Sequence, residues 1–185
     1  MDFKTANKLI LSEVAAVSEA IDTDSVQSLM EKLENANQVF LVGVGRVMLS
    51  LQAFDKRLNH LGIKAYCVGD LNEPAITKED LLIVGSGSGE TVFPVEIAKI
   101  AKKHGALVAH IGSNADGSMK EACDLFVRIP CKTKLNRPGE FASEQLMSSL
   151  FEQALYIFCD SLCLMIAQKN KIDISGLWRC HANLE

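Results

Sequence analysis

The sequence predicts an α/β fold: one doubly wound, five-stranded parallel sheet flanked by helices, with strand order 2-1-3-4-5. Three observations carry this expectation. Short apolar runs such as Leu81-Leu82-Ile83-Val84 have the composition of strands buried on both faces. Amphipathic helical patterns separate them, and such alternation implies right-handed crossovers and a mostly parallel sheet. Glycine-bearing turns follow the first and third strands, and open parallel sheets bind ligands beyond the carboxyl ends of their strands, where the order reverses. A length of 185 residues with 48% apolar composition suits one domain, 1–185, with a sizeable core.

The first 35 residues read as two helices. Phe3, Ala6, Leu9, Ile10, Val14, Val17 and Ile21 recur at helical spacing. Asp24 or Ser25 then caps a second helix striped by Val26, Leu29, Met30 and Leu33. A minimal doubly wound domain needs neither helix, so sheet cover and subunit packing are equally open roles.

The sheet core occupies 36–130. Residues 38–44 make the first strand, and 48–61 a helix with Leu51, Phe54, Leu58 and Leu61 inward. His60 is expected at the surface of that helix's C-terminal end, where the dipole favours it. Gly62 stops the helix, 64–68 form the second strand and 81–84 the third. The next helix ends in Lys102-Lys103-His104-Gly105. Residues 106–111 and 125–129 supply the last two strands, with a turn at 114–117 and a short helix at 118–122 between them. A polar loop, 132–140, leads into a long helix expected from about residue 141 to 168, within the block 141–169. Residues 170–185 form a tail.

The chemistry concentrates in Gly85-Ser86-Gly87-Ser88-Gly89-Glu90-Thr91, a strand-to-helix turn. Gly87 and Gly89 let the backbone approach a ligand, and the free N–H groups of the following helix point at it. Ser86, Ser88 and Thr91 add three hydroxyl donors. No lysine stands where a Walker loop requires one, so the turn suits one phosphate on a small molecule better than a nucleoside triphosphate. After the first strand, Gly43-Val44-Gly45-Arg46 opens a dinucleotide pattern, but Met48 takes the place of its third glycine. Asp70 lies near the place of a ribose-binding acid and keeps that alternative open.

Net charge is −4, from 19 basic and 23 acidic residues, which excludes nucleic acid or an anionic membrane as the main partner. Six cysteines show no CxxC pair and no zinc-ligand spacing. No secretory signal opens the chain, and no run nears the about 18 consecutive apolar residues of a membrane span. A cytoplasmic protein with reduced thiols is expected. On the last long helix Glu152 stands three and four residues after Ser149 and Ser148, beside Leu150 and Phe151. Small neighbours leave room for a ligand, and apolar ones raise a carboxylate's pKa toward that of a useful base. The alternative is an ordinary surface glutamate. His181, by composition, reads as a surface residue.

Ser86-Gly87-Ser88-Gly89-Glu90-Thr91 matches Ser-x-Ser-Gly-x-Thr and so resembles the phosphate loop of sugar isomerase (SIS) domains. With GVGR after the first strand, RLNHLG before the second, LFEQ in the last helix and the ending HANLE, the chain resembles the 6-phospho-3-hexuloisomerase family from about residue 5 onward. That resemblance implies a homo-oligomer, usually a tetramer with sites shared between subunits. It also implies interconversion of D-arabino-hex-3-ulose 6-phosphate and fructose 6-phosphate without a metal or organic cofactor. By position, Ser86, Ser88 and Thr91, with Gly87 and Gly89, hold the phosphate, and Gly45 and Arg46 contact substrate. Glu152 is the base and His181 moves protons among the oxygens. Two positions depart from the pattern: Val47 stands where the family commonly has Ser, and Ser148-Ser149 where it has Gly-Thr. These departures bear on which sugar phosphate is taken. A phosphosugar sensor, which needs the loop but not both Glu152 and His181, is the alternative.

Overall fold

Side chains alternate across each strand, and this sorts the core into two layers. The structure, a computed structural model, describes residues 1–180. Five parallel strands, β1 (Val39–Val42), β2 (Ala65–Cys67), β3 (Leu81–Gly85), β4 (Leu107–Gly112) and β5 (Leu125–Arg128), are ordered β2-β1-β3-β4-β5 as the sequence predicts. Val39, Leu41, Leu81 and Ile83 face one layer; Phe40, Val42, Leu82 and Val84 face the other.

The first layer packs against α2 (Thr23–Asn35), α3 (Gly45–His60) and α5 (Ser149–Lys169), while α1 (Phe3–Glu19) lies on α5 and adds Val17. The second packs against α4 (Val92–Lys103) and the short 3-10 helix Ser118–Ala122, through Val95, Ala98, Ala101 and Met119. Leu29, Met30 and Leu33 of α2 are core residues, so that helix covers the sheet.

Two local starts differ from the sequence expectation for an identifiable reason. The second helix is capped by Asp22, not by Asp24 or Ser25: its carboxylate accepts the Ser25 N–H at 2.8 Å, two to three residues earlier. The last helix begins at Ser149, not near 141, because Glu13 of α1 draws off the donors of the segment before it. Glu13 accepts the Ser143 hydroxyl at 2.6 Å, the Glu144 N–H at 2.9 Å and the Gln145 amide at 3.0 Å. Burial disfavours its charge, but these three donors outweigh that and hold its carboxyl below the usual value.

His60 is buried, 7% exposed, rather than at the surface, with Arg57 Nη1 3.2 Å from its Nδ1. The helix that carries it is covered twice, by the sheet and by α5, so a one-face reading misplaces it. α5 is also long and apolar enough, by length and composition, to cross a membrane, which the count of consecutive apolar residues did not suggest. Its apolarity has an intramolecular cause, since ten of its residues are buried in the protein.

Phe54, 1% exposed, fills the space between α3 and the sheet. Phe54→Ala is expected to cost about 3–5 kcal/mol of unfolding free energy, read from urea midpoints at unchanged slope.

Candidate active site

The loop after β3 is defined by where its carbonyls go. Ser86 O accepts from the His110 ring (2.8 Å) and from Gly89 N–H (3.3 Å). Gly87 O accepts the N–H groups of Ser113 (2.9 Å) and Asn114 (3.2 Å), and Ser88 O the Asn114 amide (3.0 Å). Gly89 O accepts Met119 N–H at 3.0 Å. Gly89 N–H is the loop's own and Met119 belongs to the short 3-10 helix; the other donors come from β4 and the turn beyond it. In a trans peptide the N–H points opposite to the C=O, so holding the Ser86 and Gly87 carbonyls toward β4 aims the Gly87 and Ser88 N–H groups away from it. Among the described residues neither N–H meets an acceptor, and successive free amides of this kind make an anion site. Gly89 closes the turn at φ +67°, with Gly117 packed close against the loop's Ser88 and Gly89 carbonyls.

The hydroxyls divide by role. Ser86 is buried; its oxygen accepts Gly89 N–H at 3.2 Å and its proton points to Thr91 Oγ1 at 3.4 Å, bracing the turn from inside. Ser88 and Thr91 are half-buried at the mouth. Thr91 is the N-cap residue of α4 yet makes no side-chain cap, which leaves its hydroxyl beside the free amides of the first helical turn. Pro94 sits in that turn, where a missing N–H costs nothing.

α3 and α5 meet over the carboxyl ends of β1 and β3. The Glu152 carboxylate is paired with the Arg46 guanidinium and accepts the Ser148 hydroxyl at 2.8 Å, while Ser50 Oγ donates to the Glu152 carbonyl at 3.0 Å. The groups touching this carboxylate are therefore polar, not the apolar neighbours expected from sequence. Arg46 is mostly exposed while the Glu152 side chain is only 11% exposed, so the arginine is the partner a ligand can reach and draw away. A groove of about 310 Å³ opens beside the pair, walled by Leu49, Tyr156 and Ile157. Gly45 precedes it at φ +56°, with open space where a side chain would stand.

Val47 does not point into solvent: its Cγ1 lies about where contact with a Cβ at Gly43 or Gly85 would begin, 3.1 and 2.8 Å from those ideal positions. Glycine at both strand ends lets it settle there. Phe151 covers Gly87 in the same way, its ring 3.5 Å from the ideal Cβ position, and so ties the start of α5 to the loop. Asp70 is committed locally, its carboxylate accepting Cys67 N–H at 3.3 Å. His181 lies outside the described residues. Cys159 and Cys163 are buried free thiols, as their apolar helix predicts. Sequence reasoning missed His110, Asn114, Ser50 and Glu13. A histidine inside the apolar run 107–111 was the one signal that could have flagged the first.

Residues 32–155 match the SIS domain family. The chain belongs to that family. A Bacillus subtilis relative, 3-hexulose-6-phosphate isomerase, is 35% identical over 176 residues, 95% of either chain. A Mycobacterium gastri protein of the same name is 36% identical, over 96% of this chain and 88% of that one. A crystal structure from Methanococcus jannaschii, which infers a 3-hexulose-6-phosphate isomerase function for that protein, superposes with a TM-score of 0.85 at 28% identity, covering 98% and 99% of the two chains.

In this SIS domain the loop hydroxyls are separable from the fold. Ser88→Ala and Thr91→Ala are each expected to weaken phosphosugar binding by about 1–3 kcal/mol, the range for a hydrogen bond to a charged group. Titration calorimetry measures it, with melting little changed.

Proposed function

We propose that this chain is a phosphosugar isomerase interconverting D-arabino-hex-3-ulose 6-phosphate and fructose 6-phosphate. The observation that carries it is the contact of Phe151 with Gly87, which puts an anion loop and the adjacent carboxylate of Glu152 at one end of the sheet. The named relatives support the same chemistry.

Moving a ketone between C3 and C2 requires a base, not a redox partner. Glu152 takes the C2 proton and the electrons of that C–H bond form the C2=C3 bond of an enediol as the C3 oxygen gains a proton. The proton on Glu152 then goes to C3 while O2 gives up its own, replacing the one O3 took, and becomes the ketone. Both carbons lie side by side, so one carboxylate serves both. Ser148 and Arg46 orient that carboxylate before substrate arrives. The phosphate, gripped by Ser88, Thr91 and the free amides with Ser86, Gly87 and Gly89 shaping the loop, supplies binding energy remote from the reacting carbons and fixes their position. Arg46, released from Glu152 and preceded by Gly45, turns to the sugar oxygens. His181 moves protons among those oxygens.

Glu152→Gln keeps shape but removes the base. It is expected to bind the phosphosugar near the parent affinity, lose most turnover, and fail to wash deuterium from D₂O into C2. His181→Gln is expected to keep slow exchange while net isomerisation fails. Wild type that binds and never exchanges would be a phosphosugar sensor instead, and parental turnover in Glu152→Gln would move the base elsewhere.

The protein acts as a cytoplasmic homotetramer, with sites completed across subunits. Leu49, Tyr156 and Ile157, each about half exposed beside Glu152, and Phe3 and Leu11 on α1 are the apolar surfaces it buries. Sedimentation at micromolar concentration is expected to give a tetramer; a fully active monomer would rule out shared sites.

A further inference from the structure

Of the donors that hold the phosphate loop, one is a side chain from the core of the sheet. We infer that His110 is a positioning residue for phosphate binding: its Nε2 proton, given to the Ser86 carbonyl, turns the Ser86–Gly87 peptide so that Gly87 N–H faces the ligand. The inference rests on the reading of the loop as a phosphosugar site, and the test below separates the two.

His110 is 2% exposed, in the middle of β4, with Nε2 2.8 Å from Ser86 O. A carbonyl only accepts, so Nε2 must carry the hydrogen. Burial pushes the imidazole down to about 4, against the pull of the Ser86 carbonyl, so at neutral pH the ring holds one proton and Nε2 has it. The ring has no freedom to swing. It packs against the Phe126 ring of β5, tilted by 43° at 5.0 Å between centroids, and its Cε1 lies 3.3 Å from the ideal Cβ position of Gly89 at the far end of the loop. Gly112, two residues on and on the same face, completes the fit, because a Cβ there would overlap both His110 Nε2 and Ser86 O.

A plain space-filler in the apolar run 107–111 would be an aliphatic residue, since burying an imidazole costs desolvation unless its polar atoms are used. Here one is used on the carbonyl that sets the first free amide of the anion site. Asn114, itself buried, holds the Ser88 carbonyl through its side-chain amide at 3.0 Å.

The experiment uses the full chain, ¹⁵N-labelled histidine and two variants. Long-range ¹H–¹⁵N spectra of the wild type are expected to show His110 as the Nε2–H tautomer, neutral at pH 6; an Nδ1–H tautomer overturns the inference whether or not any variant folds. His110→Phe keeps the packing against Phe126 and removes the donor. His110→Gln places an amide near the position of Nε2. The phenylalanine variant is expected to raise KM for the phosphosugar, and Kd for inorganic phosphate, by about tenfold at little-changed kcat, with glutamine restoring most of it. Unchanged KM in His110→Phe, or an equal loss in both variants, refutes the role of the donor. A wild type with the Nε2–H tautomer that binds neither phosphosugar nor phosphate refutes instead the reading of the loop as a phosphate site, and the positioning role with it.

Discussion

The carboxyl end of the sheet depends on two missing side chains. Gly43 and Gly85 end β1 and β3, and ideal Cβ positions there lie 2.8 to 3.2 Å from Val47 Cγ1 and Leu51 Cδ1. Without those Cβ atoms α3 settles directly on the strand ends, and Leu155 of α5 follows, 3.5 Å from the same point over Gly85. Once both helices are seated, Arg46, Ser50, Ser148 and Glu152 meet, and Phe151 lies over Gly87. The Glu152 carboxylate and the loop after β3 are neighbours because backbone, not side chain, occupies the strand ends.

The anion site itself is built from neutral parts, in keeping with a chain of net charge −4. Its grip comes from amides whose direction is set by satisfied carbonyls on the other side of each peptide. Such a site discriminates by shape and hydrogen-bond direction and does not draw in every passing polyanion as a lysine-rich loop would.

Much of this was legible in the sequence, for a physical reason. Strands buried on both faces must be apolar throughout, so the run 81–84 and its partners announced themselves, and glycine turns after β1 and β3 located the crevice. The loop residues stood out by local pattern, whereas Glu152, which periodicity alone leaves as a surface glutamate, stood out through the family resemblance. What stayed hidden was set by distant partners. Nothing near 143–145 shows that Glu13 claims those residues, so the helix was extended too far back. His60 and His110 sit in periodic apolar contexts that say nothing about a second helix behind α3 or a carbonyl across from β4. Against the family pattern Val47 reads as a lost hydroxyl, whereas the structure shows it seated against glycine at two strand ends.

Glu13 gives the N-terminal helix a part in the chemistry that its position on the outside of α5 conceals. The segment it grips runs straight into Ser148 and Glu152, through Met147 held at φ +52°. A shortened chain lacking the first helix would keep every strand and the whole anion loop, yet the approach to the base would be slack. Recognition and turnover would then come apart under deletion, and the helix most tempting to trim for crystallisation or fusion is the one that keeps Glu152, the proposed base, aimed.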